Sequence, residues 1–292
     1  MKNRLKIFIT FIFLYFPIMN VLAVEDFKFE SKSIEIKNNN QIIAKDGVKA
    51  TTEDGLEILS KELEYNKDTK ILDLKEDVSI FDKIQNLKIM SDNIIFNKFL
   101  EKIISKTETK IDINNTHFIS SEDVLFLRSE FTIKSDKPTI IKDKFNNKIQ
   151  LNGFSYSINN KILKTNQMEF IDDQSNTYKS NNAMLDLNNK KIAAKDIQIY
   201  FAEGELGKNA RLKGTSLVSE NNISIIKNGI FTACKIRNKC PPWTLKSKEV
   251  KHDKNKQSIS YKDSWLELYD FPIFYFPNFF ILILRLKDKR DF

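Results

Sequence analysis

Cysteine, histidine, proline and glycine are all scarce in this chain, whose 292 residues hold 2 Cys, 2 His, 6 Pro and 7 Gly. His117 and His252 stand far apart with no companions at ligand spacing, which argues against a metal centre. No Ser/His/Asp arrangement, glycine-rich phosphate loop or helical carboxylate pair is visible. The chain is therefore expected to be no enzyme, with no catalytic residue, metal or cofactor. No helical period is sustained after the first 23 residues. Apart from those, no segment is long and apolar enough to cross a bilayer as a helix.

The one long apolar run lies at the start. Lys2, Arg4 and Lys6 precede an apolar stretch from Ile7 to Met19, and Val21-Leu22-Ala23 offers small residues before acidic Glu25 and Asp26. That pattern is a secretory signal peptide over residues 1–23, cleaved after Ala23. The run falls short of the about 20 residues a membrane anchor needs. The mature protein is thus expected to be exported. A net charge of +8 suits anionic lipid or lipopolysaccharide phosphates, but the charges are scattered as on a solvated face. Export argues against nucleic acid as a partner. Two cysteines in an exported chain suggest a disulfide. Cys234 and Cys240 are close enough for a local bridge, and the missing Cys-x-x-Cys argues against redox catalysis.

What is present is alternation. Apolar residues recur at every second position in Ser33–Ile36, Leu56–Leu59, Ile71–Leu74, Val78–Phe81, Ile111–Ile113, Phe131–Ile133, Phe154–Ile158 and Ile197–Phe201. This places them on one face of short strands. Clusters of Asn, Asp, Gly and Lys separate the strands, at Lys37–Asn40, Lys45–Gly47, Asp54-Gly55, Asn66–Thr69, Asn114–Thr116, Asn146–Lys148, Asn159–Lys161 and Asn188–Lys191. These residues tolerate left-handed backbone and so predict hairpins and corners. The fold class is all-β: a sandwich, barrel or solenoid. A weak repeat of strand, Asn and Lys-rich turn runs through Leu63–Asn66, Leu72–Leu74, Asn93–Asn97 and Ala183–Asn188. Such units fold by stacking, each burying its apolar edge on the next.

The strand repeat resembles the OstA-type domain of lipopolysaccharide transport proteins. Five further segments appear in order: Ala210–Ser216, Gly229–Cys234, Cys240–Trp243, Glu249–Asp253 and Phe271–Pro277. Together they are similar to the LptD family of outer-membrane lipopolysaccharide-assembly proteins, also called organic solvent tolerance proteins. The resemblance implies a signal peptide (1–23), an OstA-like periplasmic β-jelly roll (24–230), open along one side, and a junction to an outer-membrane barrel (231–280). Residues 281–292 do not match. A set of codons compatible with them, regrouped by one nucleotide, reads His-Pro-Asp-Pro-Thr-Val-Lys-Arg-Gln-Thr-Gly-Phe, which resembles the family's path into its barrel. A frameshift near Phe280 is expected, with a natural short relative carrying an unrelated tail as the alternative.

The function implied by the resemblance is transport and assembly of lipopolysaccharide at the periplasmic face of the outer membrane. An apolar groove lined by Ile34, Ile36, Ile58, Leu63, Leu72, Leu74, Val78, Ile80, Ile94 and Phe96 would receive acyl chains. These positions could instead form a dry core, and the inward phase of each strand is open at this stage. The first strand, with Phe27, Phe29, Ser33, Ile34, Glu35 and Ile36, would offer an edge to the periplasmic bridge protein LptA, or fray as a terminus. The lipoprotein LptE is a partner if a barrel is present. The family ties its periplasmic domain to its barrel by disulfides, and Cys234 stands where the resemblance places one such cysteine. Trp243, Trp265 and the aromatics of 271–280 fit an interfacial belt or packing under a proline-rich turn. A soluble lipopolysaccharide carrier and a strand-repeat surface protein or adhesin are the competing readings.

Overall fold

The computed structural model describes residues 26–144, 148–172, 175–202, 209–235 and 241–282. The expected signal peptide, Cys240 and residues 283–292 of the unmatched tail lie outside them. The described residues form twenty strands and no helix. The strands are β1 (Lys28–Lys37), β2 (Gln41–Thr51), β3 (Leu56–Ser60), β4 (Glu62–Asn66), β5 (Ile71–Asp82), β6 (Leu87–Asn97), β7 (Lys102–Ser105), β8 (Thr109–Ile113), β9 (His117–Ser121), β10 (Val124–Leu127), β11 (Thr132–Asp143), β12 (Lys148–Ser157), β13 (Ile162–Ile171), β14 (Thr177–Asp186), β15 (Lys191–Tyr200), β16 (Arg211–Glu220), β17 (Ile223–Thr232), β18 (Trp243–Asp253), β19 (Ser258–Leu268) and β20 (Phe271–Leu282).

All of them belong to one antiparallel sheet, in which each long strand pairs with the next. Strand ends are fixed by Asn and Asp side chains. Asn66 Oδ1 accepts from the amides of Asp68 and Thr69, Asp82 Oδ1 from Ile84 and Gln85, Asp186 Oδ1 from Asn188 and Asn189, and Asp253 Oδ1 from Asn255 and Lys256. These side chains take the place of ladder partners and turn the chain. His252-Asp253 is the end of β18, leading into such a turn.

A second kind of break runs through the middle of the strands. Lys45–Gly47, which reads as a hairpin or a corner, lies inside β2, where Asp46 and Gly47 have φ of 62° and 88°. The ladder to β1 skips a residue there, pairing Ser31 with Val48 and Ser33 with Lys45. The same gap recurs strand after strand, with left-handed residues at Glu76 and Asp77, Gly153, Asn182, Asp196, Asn228 and Asp263. Left-handed residues twist and kink a strand. Aligned across the sheet, they form a corner.

The corner divides the sheet into two leaves. Leaf A holds 41–44, β4, 71–75, 93–97, β7 and β10; leaf B holds 48–51, β3, 78–82, 87–91, β8 and β9. The division continues to β20, whose 278–282 lie in leaf A and 271–276 in leaf B. The leaves face each other and share one buried apolar cluster. Contacts between them pair a leaf A strand with a leaf B strand several steps earlier in the chain. Phe27, just before β1, meets Tyr65 of β4 and Phe96 of β6, and Arg128 after β10 meets Asp82 of β5. This offset leaves the leaf A part of β1 uncovered at one end of the stack and the leaf B part of β20 uncovered at the other. Near the corner, hydroxyls satisfy one another: Ser105 Oγ and Thr109 Oγ1 lie 2.6 Å apart, and Ser264 Oγ donates to Ser247 Oγ at 2.8 Å.

Candidate functional site

The space between the leaves holds the side chains expected to carry function. Ile58, Leu63, Leu72, Leu74, Val78, Ile80, Ile94 and Phe96 all point into it and are at most 2% exposed. In this half of the molecule they belong to one buried apolar cluster. Ile34 and Ile36 sit opposite Ala44 and Ile42, on the inward side of β1. They are nevertheless 47% and 61% exposed, because the offset leaves no leaf B strand over them. Among the described residues β1 pairs only with β2, so its other edge is free. Phe29, Ser33 and Glu35 lie on this same strand.

Two devices shut the rim of this half, where hairpin ends of the two leaves meet. The first is aromatic. Phe27 is buried with its ring 5.1 Å from Tyr65 and 6.0 Å from Phe96, and Phe29 lies 5.8 Å from Tyr65. Asp26 holds this end through Lys70 and the Tyr65 hydroxyl, which donates at 2.8 Å. The Lys70 bond and the Tyr65 hydroxyl keep the Asp26 carboxyl below its usual range, against the pull of burial.

The second device is ionic. Arg128 of leaf A is 9% exposed and donates from Nε to Asp82 Oδ2 and from Nη1 to Asp54 Oδ2 of leaf B, both at 3.0 Å. It also pairs with Glu101. Lys98 adds a bond to Asp54 at 2.9 Å and one to Glu101 at 2.7 Å. Burial alone would raise the Asp54 carboxyl; hydrogen bonds from Thr52, Lys98 and Arg128 overcome it and hold the group far below the usual carboxylate range. Burial disfavours the Arg128 charge, but bonds to Asp54 and Asp82 raise its pKa overall.

Further along the stack the packing opens. A cavity of about 180 Å³ lies between the leaves, with Ile113, Ile119, Ile141 and Ile149 on the leaf B side. Tyr156, Leu163, Leu185 and Leu187 face them from leaf A. An apolar cavity of about 150 Å³ stays dry and takes up benzene, so this one has room for a stretch of hydrocarbon chain. His117 and Asp143 stand among the lining residues, with Thr116 Oγ1 3.0 Å from His117 Nδ1. Burial, and secondarily Lys161, keep the imidazole below its usual pKa although Asp143 pulls the other way. A larger hollow of about 380 Å³, lined by Gln150, Asn152, Gln167, Lys179 and Asn181, is open and polar and suits water.

Beyond the cavity the apolar rim stays partly uncovered. Phe170, Tyr178, Phe201, Phe231 and Phe279 pack against the core without being buried. Trp243 packs 5.9 Å from Phe231, whereas Trp265 and Tyr275 pair 5.0 Å apart on the exposed outer side of β19 and β20. Phe274 sits opposite inward-facing Leu266 and is still 63% exposed. Cys234 is a free thiol among the described residues, its Sγ 3.9 Å from the Trp243 carbonyl oxygen. Sequence reasoning missed Arg128, Asp54 and Asp82, whose partners are distant in the chain, and missed Leu163 and Leu185 as cavity residues. No protein-family model matches the chain, and no curated protein does.

Proposed function

We propose that the protein handles lipid without catalysis, taking acyl chains of lipopolysaccharide between its leaves at the periplasmic face of the outer membrane. The fold is then an OstA-type β-jelly roll, the corner closing one side and the rim forming the open one. The observation that carries this reading is the apolar cavity between the leaves at Ile141, Leu163 and Leu185. An acyl chain entering it gains about 0.8 kcal/mol per CH₂ removed from water, while a charged headgroup stays wet at the rim. The free edge of β1, with Ile34 and Ile36 inward but uncovered, supports docking of the bridge protein LptA by strand addition. The exposed aromatic strand β20 supports a junction toward a barrel, with LptE as a partner there.

The dry packing around Leu72, Leu74 and Phe96 favours a second reading, a rigid strand-repeat surface protein. Photo-crosslinkers at Leu163 and Leu185 separate the two. Lipopolysaccharide should be captured there in cells, and not at the outward neighbours Lys164 and Met184. Equal labelling of both sets, or none at the inward pair, selects the structural reading.

A further inference from the structure

We propose that the β20 end of the stack is a lipid-binding surface, which seats in the headgroup region of an anionic bilayer with Trp265 and Tyr275 at the interface. The surface lies apart from the cavity at Leu163 and does not depend on what that cavity holds.

Exposed apolar side chains are concentrated here. Of the 22 large ones that stand exposed among the described residues, 10 lie between Trp265 and Leu282. Single exposed apolar residues are ordinary on a soluble protein, but a contiguous group marks an interaction site. β20 itself, FPIFYFPNFFIL, carries no charged residue. Its outward side shows Tyr275 against Trp265 and, further along, Phe280. Its inward side shows Phe274, opposite Leu266, where the offset of the leaves puts no strand over it. Among the described residues β20 pairs only with β19, so its other edge is free. The strand therefore projects as a blade that is apolar on both faces.

The chemistry of the blade favours lipid over a protein strand. Pro272 and Pro277 interrupt its row of backbone donors, and proline on an edge strand opposes the addition of a further strand. A second copy packed on the blade would cover one face and leave the other wet, whereas a bilayer interface surrounds a projecting edge. Strands that span a membrane in a barrel alternate apolar with polar residues. β20 does not alternate in this way, and its unpaired backbone groups need hydrogen bonds that the hydrocarbon core does not supply. Its depth is therefore the headgroup region, where water remains and where Trp and Tyr collect. Charge fits an anionic surface. Lys262 stands opposite Asn278 of β20, and Lys251 lies one strand further in. The acids nearby are engaged: Asp263 accepts from the Tyr275 hydroxyl at 3.0 Å, Glu249 pairs with Lys227 and Glu267 with Lys246. Beyond Leu282 the sequence adds Arg285, Lys287, Lys289 and Arg290 against Asp288 and Asp291. Basic residues beside an apolar patch strengthen its hold on anionic lipid.

Tryptophan fluorescence of the mature chain tests the surface, because Trp243 and Trp265 are its two tryptophans. The probe is a vesicle of three parts phosphatidylcholine to one part phosphatidylglycerol, with brominated acyl chains as quencher. In Trp243→Phe, where Trp265 alone reports, these vesicles should shift emission to the blue and quench it about twofold. In Trp265→Phe, where Trp243 reports from its place against Phe231, quenching should be slight. Phe274→Asp with Phe280→Asp, or the milder Phe274→Ser with Phe280→Ser, should weaken partition about tenfold while the strand signal in circular dichroism is unchanged. Vesicles of phosphatidylcholine alone should bind about threefold more weakly. No quenching of Trp265 overturns the proposal, as does equal quenching of the two tryptophans. Partition that survives both pairs of substitutions, or that is equal on the two kinds of vesicle, overturns it too. A concentration-dependent dimer that the same substitutions abolish, without quenching by vesicles, assigns the strand to a second copy and also overturns it. Loss of lipid capture at Leu163 with vesicle binding intact removes the cavity reading alone; the reverse result removes this surface alone.

Discussion

The stretch before Arg128 and the stretch after it use the same strands, the same corner and the same alternation, yet they enclose different interiors. In the first, Phe27 and the Arg128 cluster draw the rim together and the inward side chains beyond Ile34 and Ile36 are sealed from water. In the second, the rim carries Leu187, Phe170, Tyr178 and Phe201, each only partly buried, and a cavity remains between the leaves. The strand residues do not make the difference, since Leu163 and Leu185 are as apolar as Leu72 and Leu74. The residues at strand ends and turns do. Whether such a stack becomes a dry core or an accessible slot is decided at its rim.

Truncating inward side chains should break the symmetry between the two stretches most visibly. Leu74→Ala and Phe96→Ala remove fully buried groups from a packed region and should each cost about 3–5 kcal/mol. Leu187→Ala, on the partly open rim of the cavity, should cost less than about 1 kcal/mol, because little packing surrounds the lost atoms. Urea unfolding of the three variants checks the ordering. Equal costs would mean that the second stretch is packed as tightly as the first.

Acid should sharpen the comparison with a smaller effect. His117 lines the cavity and His252 lies in the second stretch, and burial holds each below its usual 6.5. A depressed histidine contributes stability in full above the unfolded value and loses it as pH falls through the folded one, because the unfolded chain takes up the proton first. Asp54, paired with Arg128 and Lys98 at the rim, is depressed below 3.8 and follows the same sign at a lower window. As pH drops from 7, amide protection at Leu185 should weaken from about 6.5 downward, while protection at Ile80 holds until pH falls below about 3.8. His117→Gln with His252→Gln should remove the earlier loss and leave the later one.

Much of the strand pattern was legible in the sequence, and the rim was not. Period-two alternation put Ile58, Leu63, Leu72, Leu74, Val78, Ile80, Ile94 and Phe96 on one side, and the structure buries all eight. The Asn and Asp residues closing the strands also announced the turns at Asn66 and Asp186. Lys45–Gly47 was legible only as a hairpin or a corner, because both need the same left-handed backbone and so the same residue types. Ile34 and Ile36 have the right phase but the wrong place, since alternation reports which side a residue faces and not whether anything covers it. Arg128 carried no signal, because its partners Asp54 and Asp82 come near it only through the offset of the leaves.

The most direct test of the account is residue-resolved methyl NMR of the mature chain titrated with lipopolysaccharide. The account predicts that Ile141, Leu163 and Leu185 shift at the lowest lipid concentrations while Leu72, Leu74 and Ile94 stay in place. Shifts at Leu72 and Leu74 that match those of Leu163 in the native chain, or no shift at Leu163 at all, would contradict it.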